Sequence, residues 1–239
     1  MYRVLFFALV IFCFSSATAQ EIKHVDSKTF STLIKSGDGI ILDVRTEQEY
    51  SRGHIENATL ISTSDRKFVE KVSLLQKDKP LYIYCLTGSR SNAVANYLSK
   101  NGYSNIYNLR RGLMEWQSSN YPIIQNDNPI ASTSKVYTEA EFNKMLNESN
   151  LVLLDFHAKW CAPCKKMSPI IEELQKDYKG KALVKKIDIE ANKTLQNQYQ
   201  VKSIPGLILF KDGKEIWRHT GLIEFDELSN LLKKHLSTT

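Results

Sequence analysis

The sequence predicts an α/β protein of two domains, the first a doubly wound parallel sheet, on three observations. Between Ile40 and Leu109, short apolar runs alternate with segments of helical period, the pattern of a parallel sheet covered on both faces. The apolar run Leu151 to Phe156 leads into Trp160-Cys161-Ala162-Pro163-Cys164-Lys165 and a helix-like segment ending at Tyr178. Between these regions, Pro122 to Ser134 is polar, Pro-punctuated and aperiodic, and marks a domain boundary. A length of 239 residues fits one or two domains at about 150 residues each. With 42% hydrophobic and 24% charged residues, the composition is globular rather than disordered.

Residues 1–19 read as a signal peptide. Arg3 supplies the positive start, Val4 to Phe14 the apolar stretch, and Ala17-Thr18-Ala19 a small-x-small cleavage site. The mature chain is expected to begin at Gln20 and to be exported, periplasmic or extracytoplasmic. The apolar run falls short of the roughly 20 residues that span a bilayer, so no stable membrane insertion is expected after cleavage. Cys13 raises a lipoprotein alternative, but Ile11 and Phe12 precede it where small residues belong. The net charge is +6, and the lysines are scattered without an aromatic-interleaved stripe, so no nucleic-acid partner is expected. Beyond Cys13 there remain Cys85, Cys161 and Cys164. An odd count in an exported chain leaves one thiol outside a stable pair, and Cys85 is the one left over.

The first domain is expected over residues 20–121. Phe30, Leu33 and Ile34 at helical spacing, capped by Asp26 or Ser27 and stopped by Gly37, give the first helix. Ile40 to Val44 is a buried strand. Thr46 with Glu49 forms a capping box. A strand over 58–61, a helix over 65–75, a strand over 81–84, a helix over 89–100 and a strand over 105–109 follow, and Trp116 and Tyr121 pack the domain's end. In such sheets ligands bind at the carboxyl ends of strands. At one such end Cys85 is followed by Leu86, Thr87, Gly88, Ser89 and Arg90. A Cys after a strand, before a short Gly-containing loop and a helix, sits in a ring of backbone N–H groups that lowers its pKa and makes it a nucleophile.

This Cys-x-x-Gly-x-Arg loop resembles that of the rhodanese family. So does the upstream stretch Leu42-Asp43-Val44-Arg45 with Glu49-Tyr50, Gly53-His54-Ile55 and Asn57-Ala58. The resemblance implies that Cys85 accepts a sulfane sulfur as a persulfide held by the loop amides of residues 86–90. Phosphatases built on the same fold have five residues between Cys and Arg; four here make a smaller cradle that favours sulfur over phosphorus. Arg90 is expected to pair with Asp43 and fix the loop, in preference to attracting an anionic donor such as thiosulfate. Leu86 stands where the family often has Arg, which removes one anion contact. Arg45 and His54 are read as framework, His54 as a capping or packing imidazole.

The second domain is expected over residues 135–239, after a linker over 122–134. Thr138 and Glu141 make a second capping box, and Phe142, Met145 and Leu146 the inner stripe of its helix. Strands over 151–156, 182–188, 206–211 and 214–219 are expected, the last two joined by the Asp212-Gly213 hairpin turn. Helices are expected over 165–178, 193–199 and 226–236. Cys161 lies at a helix N-terminus, where unpaired N–H groups stabilise a thiolate, and Cys164 sits one turn inward. A zinc site fails on ligand count, because no second Cys-x-x-Cys or His-x-x-x-His follows. A structural disulfide would need no flanking Trp, no internal Pro and no buried acid.

Asp155-Phe156, Ala158 and Trp160-Cys161-x-Pro163-Cys164-Lys165 resemble the active-site segment of the thioredoxin family, whose fold the whole order matches. The resemblance implies dithiol–disulfide exchange with Cys161 attacking and Cys164 resolving. It makes Asp155 the buried acid that moves the proton of Cys164, and Ile204-Pro205 the cis-proline segment that offers backbone to an extended substrate beside Trp160. Lys186 aligns with the lysine that approaches the acid, or is a solvated strand lysine. Gly206 stands where Thr is usual. His157 stands where an aromatic is usual and is read as half-exposed and without a role.

The expectation is therefore an exported thiol–disulfide oxidoreductase coupled to a sulfurtransferase, with no metal and no cofactor. Its partners would be a sulfane-sulfur donor, thiol or protein-disulfide substrates, and a membrane redox partner. Two alternatives stand beside it. The rhodanese-like domain is a non-catalytic docking module, or both sites serve oxidative protein folding.

Overall fold

A computed structural model describes residues 22–125 and 134–237. The expected signal peptide, Cys13 and most of the expected linker lie outside them.

The first sheet contains β1 (Lys23–Val25), β2 (Ile40–Asp43), β3 (Thr59–Leu60), β4 (Leu81–Tyr84) and β5 (Ile106–Leu109). They run in the order β1-β5-β4-β2-β3 and every pairing is parallel. Its helices are α1 (Ser27–Ile34), α2 (Glu47–Ser51), α3 (Phe68–Ser73), α4 (Ser89–Lys100) and α5 (Gly112–Ser118). Asp26 caps α1 by accepting from the Thr29 N–H, and Thr46 and Glu49 close the capping box of α2. The two-residue alternation of β4 divides the core. Tyr82 and Tyr84 face Phe30, Leu113 and Trp116, whereas Leu81, Ile83 and Cys85 face Val94, Ala95 and Leu98 of α4.

The second sheet runs β7-β6-β8-β9, from β6 (Leu151–His157), β7 (Leu183–Asp188), β8 (Gly206–Lys211) and β9 (Lys214–Thr220). β6 pairs parallel to β7 and antiparallel to β8, and β8 antiparallel to β9. Around it lie α6 (Glu139–Leu146), α7 (Ala162–Asp177), α8 (Lys193–Gln198) and α9 (Phe225–Leu236). Leu151 and Leu153 of β6 pack with Met167 and Ile171 of α7, while Val152, Leu154 and Phe156 face the other side. Alternation thus puts Asp155 on the α7 side.

Two elements escape the sequence reading, β1 and α5. The stretch around Ile124, read as linker, is bound to the first domain: His54 and Ile124 exchange both backbone hydrogen bonds at 2.9 and 2.8 Å, and Gln125 donates to the Arg52 carbonyl. One apolar cluster runs across both domains, including Leu74 and Leu75 on one side and Trp160, Cys161 and Ile204 on the other. No described helix is long and apolar enough to cross a membrane.

Candidate active sites

Cys85 follows β4 directly and is fully buried. Its Sγ accepts the Gly88 N–H at 3.2 Å and the Ser91 hydroxyl at 3.6 Å. Burial pushes this thiol up; the Ser91 hydroxyl and the N–H groups of Ser91, Thr87 and Gly88 outweigh it and hold the pKa below the ordinary value. Gly88 makes the turn possible. It caps α4 with φ 93°, and a Cβ there would lie 1.9 Å from the Arg110 carbonyl oxygen. From below, Leu113 N donates to the Cys85 carbonyl at 2.8 Å and Met114 N to that of Leu86 at 3.1 Å, so α5 anchors the loop. Leu86, Thr87 and Ser89 of the loop are exposed.

Arg90 does not pair with Asp43. Its guanidinium makes two bonds to Glu49, at 2.6 and 2.8 Å. Asp43 is taken by Arg45, whose Nη2 lies 2.6 Å away and whose backbone N–H also donates to it. With Asp43 consumed two residues away, the nearest acid left for Arg90 is the capping-box Glu49. The Arg90 hydrogen bonds, aided by Thr46, bring Glu49 down to about 2 against burial. His54 is buried, stacks on Tyr50 with ring centroids 3.6 Å apart and contacts the Tyr50 carbonyl through Nδ1, a packing role. Ser91 was not singled out by sequence. Its signal was a hydroxyl at the third position of a helix whose cap follows a Cys.

In the second domain Cys161 is the N-cap of α7, is joined to Cys164 by a disulfide, and its Sγ accepts the Cys164 N–H at 3.2 Å. Pro163 stands in the first turn, where a missing N–H costs nothing. Asp155 is fully buried, and neither carboxylate oxygen has a hydrogen-bond partner. Burial pushes it up to about 7, against the charge of Lys186. Lys186 is its register partner on β7, but its ammonium bonds Ser168 and lies 3.7 Å from Glu172. It approaches the acid as a charge, not a hydrogen-bond donor. The Ile204-Pro205 peptide is cis. A Cβ on Gly206 would meet Ser203 O and Val201 Cγ1, each at 3.1 Å. His157 is half-buried, and burial lowers its pKa.

This second site lies against the first domain. Ala162 N, between the two cysteines, donates to Thr59 Oγ1 at 3.0 Å, and Ile204 N donates to the Leu74 carbonyl at 3.2 Å. The Lys71 ammonium stands 5.5 Å from the centre of the Trp160 ring. Among the described residues no cluster of His, Cys, Asp or Glu could hold a metal ion.

A family model described as rhodanese-like domain matches residues 26–119, and one described as thioredoxin matches residues 133–234. Thioredoxin of Staphylococcus aureus is 43% identical over 99 residues, which are 41% of this chain and 94% of that protein. Among solved structures, a mutant thioredoxin from Halobacterium salinarum aligns with 31% identity and a TM-score of 0.41, covering 46% of this chain and 99% of its own. A Plasmodium falciparum thioredoxin aligns with 29% identity and a TM-score of 0.39, covering 43% and 99%. Strand, Cys-x-x-Cys, helix and cis-proline agree with the Staphylococcus aureus relative and the two family models: the chain belongs to the thioredoxin family through its second domain, and carries a rhodanese-like domain before it.

Proposed function

We propose that the protein is an exported thiol–disulfide oxidoreductase whose first domain is a sulfurtransferase forming a persulfide on Cys85. The observation that carries the reading is the Cys161–Cys164 pair at the start of α7 on the same chain as a cradled, low-pKa Cys85. In exchange, the Cys161 thiolate attacks a substrate disulfide and expels one thiolate. Cys164 then attacks the mixed disulfide, losing its proton to Asp155, and releases the second thiol. In sulfur transfer, the Cys85 thiolate attacks the outer sulfur of a sulfane donor. With thiosulfate, the S–S bond breaks, sulfite leaves with the electron pair, and Cys85 keeps the sulfur. The two chemistries balance when joined: a dithiol and a persulfide give one disulfide, one thiol and hydrogen sulfide.

The test uses two single variants. Cys161→Ser should lose insulin-disulfide reduction by at least about 10³-fold, as removal of a covalent nucleophile does, and keep thiosulfate-dependent loading of Cys85 in mass spectra. Cys85→Ser should do the reverse. Sulfide release from the loaded, reduced chain that is unchanged in Cys161→Ser would sink the coupling. A second reading, in which the first domain is a docking module, is favoured by its contacts with Ala162 and Ile204; intact oxidoreductase turnover and an unloaded Cys85 would support it. The reduction potential of the pair separates a reductant from a disulfide donor in oxidative folding. A membrane redox partner is part of the proposal, since an exported reductant needs an electron source.

A further inference from the structure

The backbone around the exchange site is already engaged by the chain's own first domain. Ile204, next to the cis-proline, presents its N–H to the Leu74 carbonyl, and Ala162 presents its N–H to Thr59. Lys71 covers the face of Trp160 and reaches Glu190 at 3.3 Å. Glu70 pairs with Lys193, and Gln76 donates to the Thr220 carbonyl at 3.3 Å while packing on Gly221. As a result Cys161 is 3% and Trp160 9% exposed. The cavity that Ala162, Pro163 and Lys166 share with Ile34, Ile41 and Asn57 of the first domain holds about 60 Å³, far below the roughly 300–1,000 Å³ of ligand pockets.

We propose that residues 70–76, with Thr59, are an intramolecular occupant of the exchange site, and that a protein disulfide reaches Cys161 only after this segment leaves. Exchange requires a thiolate and a sulfur to meet in line, and a sulfur this covered meets neither a peptide nor a bulky thiol. The segment offers the site what an extended peptide would, a backbone carbonyl for Ile204 and a side chain over Trp160. Its outer fastenings are separable: the side chains of the Glu70–Lys193 pair are 44% and 39% exposed and those of Lys71–Glu190 16% and 31%, the character of a contact between domains rather than of a core. The inference rests on the oxidoreductase reading for its meaning, but the first readouts of its test, amide protection and the rate of disulfide reduction, do not depend on turnover.

The test compares the oxidised full chain with the double variant Lys71→Glu, Lys193→Glu. In the parent chain the Ala162 and Ile204 amides should resist hydrogen exchange, and in the variant both should lose protection together. Reduction of the Cys161–Cys164 disulfide by dithiothreitol, followed by Trp fluorescence, should then quicken about tenfold, the scale of losing the two ion pairs and one cation–π contact that cross between the domains. Unprotected amides in the parent chain overturn the proposal, as does loss of protection with an unchanged reduction rate. If the variant stays protected, a carbodiimide cross-link between Glu70 and Lys193, verified by mass spectrometry, decides the matter. The linked chain should fail to reduce insulin, and full turnover by it overturns the proposal. A failed functional reading would look different: no insulin reduction by any form, with the exchange pattern intact.

Discussion

Cys85 and Cys161 occupy equivalent places in unlike sheets. Each follows an inner strand, each precedes a helix, and each sulfur accepts the N–H of the residue three positions on at 3.2 Å. What differs is that third residue. At Cys85 it is Gly88 at φ 93°, which turns the loop into a concave set of donors with the Ser91 hydroxyl behind it. At Cys161 it is Cys164, a second sulfur. A cradle of donors suits an extra sulfur that is kept as an anion, while an adjacent thiol suits an adduct that is discharged at once. The charge environments match this division. Donors pull the Cys85 thiol down, whereas the strand that leads to Cys161 carries a desolvated acid, Asp155, able to take a proton near neutral pH.

Among variants that leave all three cysteines in place, the largest expected effect breaks the second site. Asp155→Asn should slow resolution of a mixed disulfide by about 10²-fold at pH 7, read by quenched-flow thiol trapping, with Cys85 loading unaltered. It should also change how stability depends on pH. Asp155 goes from an ordinary 3.8 to about 7 in the folded chain, so between these values the folded state holds more protons than the unfolded one. Its contribution is full below pH 4 and is lost as pH rises to 7, by roughly 4 kcal/mol at the outside. Urea unfolding of the oxidised variant should be flatter across that window; identical slopes would contradict the assignment.

A smaller effect sharpens the first site. Ser91→Ala removes a donor to Cys85 and should cut its alkylation rate at neutral pH by roughly three- to tenfold, leaving reduction of the Cys161–Cys164 pair as it was. Peptide mass spectrometry after an iodoacetamide pulse reads the alkylation. The smallest effect is on the support of the cradle. Glu49→Gln breaks the Arg90 pair and half of a capping box, at a cost of about 1 kcal/mol in urea unfolding at pH 7. Because Glu49 is depressed from 4.5 to about 2, its contribution is present above pH 4.5 and lost as pH falls toward 2. Parent and variant should converge there, and a gap that persists in acid would point to packing instead.

Both cysteine loops, both capping boxes and nearly every strand were legible because their signals are local: period, caps, and a Cys at a strand–helix junction. β1 was not, since Lys23 and His24 are both exposed on a three-residue edge and make no apolar run. Nor was α5. It opens on Gly112 at φ 63° with no side-chain cap, and what holds it are the Leu113 and Met114 bonds to the Cys85 loop. Arg90 was expected on Asp43, and only the folded chain reveals that Arg45 already holds that acid and that Glu49 takes its place. Thr59, Lys71 and Leu74 carry no pattern that foretells the domain they meet, because that contact is wholly tertiary.

The two sheets end in four edges, and their composition bears on how the chain avoids self-association when it opens. β1 is three residues long and carries Lys23; β7 carries Lys185 and Lys186; β9 carries Lys214, Glu215 and Arg218 and pairs across an irregularity at Leu209/Phe210. The fourth, β3, is the one the second domain leans on through Thr59, and it is two residues long. Parting the domains to admit a substrate therefore exposes almost no unpaired strand. Charge and brevity guard every rim, so a working cycle of opening and closing need not present a template for aggregation.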